Sequence, residues 1–155
     1  MFINNLIRVF TGIAIVLFLT SSSKGNVSYF DKYRELANEL SAQYEIPSCV
    51  ILSVAYLESG GGTSVVAKKL NNHFGIVGDC KPAISKHKSK YKYYASVSDS
   101  YRGFCKLVSS KKFYNSMKGS KDEKLWFKKI AATGYAADAT KWANANIRIC
   151  QNYCH

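Results

Sequence analysis

A carboxylic acid can donate a proton near neutral pH when its surroundings oppose ionisation, so the ten Asp and Glu residues were sorted by position. Asp31, Glu35 and Glu39 fall on the polar face of an amphipathic stretch and Glu45 at its exit, while Asp122, Glu123 and Asp138 stand where helices are expected to begin. Those are ordinary structural places. Glu58, Asp79 and Asp99 remain as catalytic candidates. Glu58 follows the apolar run Val54-Ala55-Tyr56-Leu57 in the last turn of an expected helix, where burial and the negative end of the helix dipole both disfavour a charged carboxylate. Beside it Gly60-Gly61-Gly62 carry no side chains, which leaves room for a ligand to approach the backbone. The competing reading is a half-exposed glutamate at a helix end with no chemical task.

The elements that would position these acids follow from periodicity. Phe30, Tyr33, Leu36, Ala37, Leu40 and Tyr44 recur at helical spacing, predicting a helix over Tyr29–Tyr44 with Ser28 and Asp31 at its start. A second helix is expected from Pro47 to Ser59, apolar enough on every side to be the central buried one. Thr63 or Ser64 caps a short third helix to Leu70. Phe74 to Asp79 and Tyr91 to Ala95 read as the arms of a two-stranded hairpin, with Lys81, Lys86, His87, Lys88, Lys90 and Lys92 forming a basic tongue between them. That tongue is either a polymer-binding surface or a solvated loop. Ser96-x-x-Asp99 and Ser120-x-x-Glu123 open two further helices, the second closing at Gly134, and Asp138 caps a last one through Trp142, Ala145 and Ile149. The expected fold class is α+β, mainly helical, in one domain over residues 28–155 with a small β-hairpin lobe.

Residues 1–23 differ from the rest. Their one charged side chain is Arg8, an apolar run spans Val9 to Leu19, and small residues follow, a pattern expected of a signal peptide or, less simply, an uncleaved anchor. Export would place the domain outside the cytoplasm, secreted or periplasmic, where the five cysteines could form disulfides. Cys150, Cys154 and His155 make only a weak metal-ligand pattern, so a disulfide or buried thiol is expected and no metal. The net charge of +12 draws the protein to polyanions. With an export signal, the expected partners are anionic cell-wall polymers and not nucleic acid.

The blocks Leu57-Glu58-Ser59-Gly60-Gly61-Gly62-Thr63-Ser64, Asn71-Asn72-His73-Phe74-Gly75-Ile76, Tyr94-Ala95-Ser96 with Asp99-Ser100, and Gly134-Tyr135-Ala136-Ala137-Asp138 resemble, in order and spacing, those of the bacterial glucosaminidase family. These are the endo-β-N-acetylglucosaminidase domains of autolysins and flagellar peptidoglycan hydrolases. The resemblance covers roughly Phe30 to Ile149. It implies a lysozyme-like fold and hydrolysis of the β-1,4 bond after N-acetylglucosamine in peptidoglycan glycan strands by a monomer that needs no cofactor. It places Glu58 at the proton-donor position and Tyr135 in the cleft, to bind the acetamido group or position water. Gly60, Asn72 and Phe74 would join Tyr135 in contacting substrate, the Asn72 amide holding Glu58 or the sugar.

The chain departs from the family at Gly61, where a bulky residue is usual, and at Ala139, where proline is usual. It also lacks any Asp or Glu between Asp79 and Asp99, where many members carry a second carboxylate. Asp79 is a candidate for that second acid by region, and Asp99 is a candidate or a helix cap. With neither, the substrate's own acetamido oxygen would serve as nucleophile. A lytic transglycosylase and a non-catalytic, basic wall-binding module are the competing functions.

Overall fold

The structure is a computed structural model and describes residues 21–78 and 89–154. The expected signal peptide therefore lies almost wholly outside the described residues, as do Asp79, Cys80 and the tongue from Lys81 to Lys88. Seven α-helices account for most of the described chain: α1 (Ser21–Tyr44), α2 (Ser48–Ser59), α3 (Val65–Leu70), α4 (Val97–Ser109), α5 (Tyr114–Met117), α6 (Glu123–Ile130) and α7 (Ala139–Tyr153).

Helix α2 is the hub because its sequence offers no polar face. Cys49 through Ala55 are all buried, and α1, α4, α6 and α7 pack around it. Pro47 stands one position before the helix and its carbonyl accepts from Val50 N–H at 2.9 Å. The other end stops at Gly60, whose left-handed backbone (φ 58°) turns the chain so that Gly61 N–H closes on the Tyr56 carbonyl at 2.9 Å. Around this hub Phe30, Leu40, Tyr101, Phe104, Trp126 and Phe127 are sealed from solvent. Burying a side chain of that size contributes about 1.5–3 kcal/mol, so the hub and its aromatic shell supply much of the driving force.

Several helix starts fall where the sequence puts them. Ser64 caps α3 through Ala67 N–H at 3.1 Å, and Asp138 caps α7 through Lys141 N–H at 2.9 Å. Ser96 accepts from Asp99 N–H at 3.1 Å and donates to the Asp99 carboxylate at 2.8 Å. Two starts differ. Helix α1 runs straight through Ser28, since no proline interrupts residues 21–28, and α6 is capped by Asp122, which accepts from Leu125 N–H at 2.9 Å, while Ser120 holds Asp122 N–H from outside. The last turn after α6 widens into a π-type turn over Ala131–Tyr135, with Gly134 at φ 79°, and this carries Tyr135 towards α2.

The β-hairpin lobe is not supported. Among the described residues no strand forms, and the two arms meet in a single antiparallel bridge, Val77 with Tyr91, flanked by Lys92 N–H to Ile76 O at 2.8 Å and Gly78 N–H to Lys90 O at 3.0 Å. The returning arm is drawn elsewhere: Tyr94 N–H bonds the Leu70 carbonyl at 2.9 Å, and the Asn71 amide bonds the Tyr94 carbonyl at 2.9 Å. The end of α3 thus takes the backbone groups that a second rung would have used.

Candidate active site

Glu58 occupies the last turn of α2 and is half-buried. Trp142, in the first turn of α7, donates its indole N–H to Glu58 Oε1 at 2.6 Å. Burial pushes the Glu58 carboxyl above its ordinary value, and the Trp142 hydrogen bond opposes that push by favouring the ionised form. The net direction is upward, towards a carboxyl that holds its proton. The other oxygen looks at Gly75: a Cβ placed there would come 3.4 Å from Glu58 Oε2, and the backbone sits at φ 62°, a conformation that glycine adopts without cost. Any larger side chain there would crowd that oxygen.

Tyr135 closes the same corner. Its ring packs against Trp142 with centroids 5.3 Å apart, and its hydroxyl donates to the Phe74 carbonyl at 2.7 Å. Burial drives the phenol well above its ordinary range, and the nearby Glu58 charge pushes the same way, so it remains a neutral hydroxyl. With its proton committed to Phe74, its free lone pair can accept from an amide N–H.

The other expected substrate contacts take different places. The Phe74 ring is buried and stacks on Phe104 at 4.4 Å, so the ring belongs to the core and only the carbonyl reaches the Tyr135 hydroxyl. Asn72 is equally buried and its amide is fully engaged: Nδ2 donates to the Ile76 and Lys92 carbonyls at 2.9 and 2.8 Å, and Oδ1 accepts from Phe74 and Ile76 N–H, each at 3.2 Å. No hydrogen-bonding capacity remains to hold Glu58 or a sugar. Asn72 builds the loop that carries Gly75 instead. Gly60 is exposed and ends α2. Asp99 is exposed and bound into the cap of α4 by Ser96.

Behind the glutamate lies a buried polar cluster that the sequence reading missed. The Tyr29 hydroxyl meets His73 Nδ1 at 2.8 Å and the Tyr101 hydroxyl at 3.0 Å. Ser59, next to Glu58, donates to the Ala55 carbonyl at 2.6 Å and accepts from Gly62 N–H at 2.8 Å, fixing the glycine turn. Burial pushes the His73 imidazole down to about 4, so it is neutral at physiological pH. Trp142 was also missed as the partner of Glu58; the signal available was that a tryptophan on the buried face of an amphipathic helix needs an acceptor for its N–H.

Known proteins share the fold and the family, though the likeness in sequence is low. The family described as mannosyl-glycoprotein endo-beta-N-acetylglucosaminidase matches residues 34–155. No curated protein matches by sequence. Among solved structures, the catalytic domain of the autolysin Auto from Listeria monocytogenes superposes with a TM-score of 0.67 at 17% identity, covering 96% of this chain and 97% of its own. A peptidoglycan hydrolase from Sphingomonas sp. A1 gives 0.67 at 18% identity, covering 83% of this chain and 89% of its own. The glycoside hydrolase domain of FlgJ from Salmonella typhimurium gives 0.65 at 20% identity, covering 81% and 86%. The fold is mainly helical and lysozyme-like, and with the family matched over most of its length this chain belongs to the glucosaminidase family.

Proposed function

We propose that this protein is an exported glycoside hydrolase that cleaves the β-1,4 bond after N-acetylglucosamine in peptidoglycan, with Glu58 as the general acid. One observation carries the reading: Glu58 holds a carboxyl raised by burial, oriented by the Trp142 N–H and left open on the Gly75 side. Such a group can protonate a glycosidic oxygen as it leaves. The neighbours named peptidoglycan hydrolase and autolysin support the same substrate class.

The positive charge that develops at the anomeric carbon as the leaving oxygen departs needs a partner on the opposite face. Asp99 is occupied in the cap of α4 and Asp138 in the cap of α7. The reading therefore favours the substrate's own acetamido oxygen as nucleophile, its carbonyl bonding to the anomeric carbon as the glycosidic bond breaks and the proton passes from Glu58 to the leaving oxygen. Tyr135, accepting from the acetamido N–H, would hold that group in line. Water then opens the cyclic intermediate, giving its proton to the Glu58 carboxylate. Asp79 stands as the alternative base.

Digestion of purified peptidoglycan followed by mass analysis tests the reading. New reducing N-acetylglucosamine ends that vanish with Glu58→Gln support it. Anhydro-muramic acid ends, or no cleavage by the unaltered protein despite binding, would overturn it.

A further inference from the structure

Cys49 begins α2, and Cys150 and Cys154 lie one helical turn apart at the end of α7. The three sulfur atoms all lie within 4.8 Å of one another, in a largely buried corner. The Cα atom of Cys49 lies 5.7 Å from that of Cys150 and 5.8 Å from that of Cys154, both separations that an ordinary disulfide spans. One sulfur forms one disulfide, so the backbone offers Cys49 two partners within reach and each pairing leaves a third sulfur in the corner. Cys105 is no competitor: it is buried in the core on α4, with its thiol pushed up to about 12.

We propose that Cys49, Cys150 and Cys154 form one exchangeable disulfide locus, in which Cys49 bridges to either helix-α7 cysteine and the remaining sulfur carries the thiol that drives the exchange. The bridge first forms by thiol–disulfide exchange with a low-molecular-weight disulfide, which is reduced to two thiols as one protein disulfide appears. Thereafter no oxidant is consumed. The third cysteine loses its proton and attacks Cys49 Sγ; the new sulfur–sulfur bond forms as the old one breaks, and the displaced sulfur leaves as a thiolate that takes up a proton. Either isomer ties the start of α2 to the end of α7. The locus therefore keeps its clamp while presenting its thiol at one of two positions a helical turn apart. Glycosidase activity is not assumed in any of this.

The full chain, oxidised with glutathione disulfide, should be quenched in acid, separated by reversed-phase chromatography, and mapped by peptic digestion with tandem mass spectrometry. Both Cys49–Cys150 and Cys49–Cys154 peptides are expected, and each isolated isomer should regenerate the mixture at pH 8 unless its thiol has first been blocked with N-ethylmaleimide. Cys150→Ser and Cys154→Ser should each keep a bridge to Cys49 and a near-native Tm, whereas Cys49→Ser should lower Tm by on the order of 10 °C, as expected for losing a closed loop of roughly a hundred residues. The proposal fails if a single pairing persists at pH 8, if Cys49 pairs with Cys80, if either serine variant on α7 leaves Cys49 as a thiol, or if the purified chain carries a stoichiometric metal ion on three unbridged thiols.

Discussion

Helices α2 and α7 run antiparallel, and their two junctions are built on opposite plans. At one end, Cys49 meets Cys150 and Cys154 through sulfur, in a corner where Cys49 and Cys150 are sealed from water. At the other, Glu58 meets Trp142 through one hydrogen bond, with a half-buried carboxyl left open beside Gly75. The first junction holds the helices; the second sits at the end of a helix where an acid is unfavourable and where burial costs it further. Under the proposed function, the end that carries the chemistry is the one that opposes its own side chain, and the sulfur corner lies at the other end of the same two helices.

The largest expected effect separates these ends. Glu58→Gln preserves shape and an acceptor for Trp142 but has no proton to give, so turnover should fall by roughly 10²–10⁴ while binding to peptidoglycan persists. Its stability should move the other way. A carboxyl whose folded pKa is raised makes folding less favourable as pH rises above its unfolded value, so the variant should melt at or above the wild-type temperature at pH 7, with the difference disappearing in acid. A variant that keeps near-full activity would remove Glu58 from the mechanism.

Gly75→Ala should come next. Forcing an L side chain to φ 62° costs about 1–2 kcal/mol, and its methyl group would crowd Glu58 Oε2, so activity should drop by more than the melting temperature suggests. Equal, small losses in both would show that the open side of Glu58 is unimportant. Trp142→Phe removes the donor that favours the carboxylate, so the pKa of Glu58 should climb further. The basic limb of the kcat profile should then move to higher pH by about one unit, with roughly tenfold lower turnover from poorer positioning. Cys49→Ser should lower Tm and leave that limb in place.

Smaller effects test the surroundings. His73 stays neutral down to about 4 when folded and takes a proton near its ordinary 6.5 when unfolded. Its contribution is complete above 6.5 and is lost as pH falls towards 4, so His73→Gln should flatten the acid side of the stability profile. In the tongue, Lys90 and Lys92 are exposed, with their ammonium groups 5.4 and 5.1 Å from the Tyr91 and Tyr94 ring centres. Replacing Lys86, Lys88 and Lys90 by Gln should weaken peptidoglycan sedimentation a few-fold at low salt and lessen its salt dependence; an unchanged salt response would make the tongue a plain solvated loop.

What was legible in the sequence was local. The unbroken apolar face of α2, the Ser64, Ser96 and Asp138 caps, and the placing of Glu58 after a buried run all follow from neighbours within a few residues. What was not legible depends on distant backbone groups. Trp142 reaches Glu58 across 84 positions, a pairing that no periodicity encodes. Phe74 to Asp79 and Tyr91 to Ala95 were read as the two arms of a hairpin, but Leu70 and Asn71 captured the returning arm and left one bridge. Asn72 and Phe74 were read as ligand contacts because they stand among the family's motifs; burial shows that their side chains hold the loop and the core.

The four hydrogen bonds of Asn72 carry a further consequence. A loop held by a ladder of strands weakens rung by rung, but this one gathers the backbone of Phe74, Ile76 and Lys92 onto a single amide. Even the isosteric change to aspartate turns two donors into acceptors facing the Ile76 and Lys92 carbonyls, and the same event would release Gly75 from beside Glu58. Chemical ageing of that amide would thus loosen the loop beside Glu58 at four points at once, leaving the carboxyl, the helices and the Tyr135 tie to Phe74 in place.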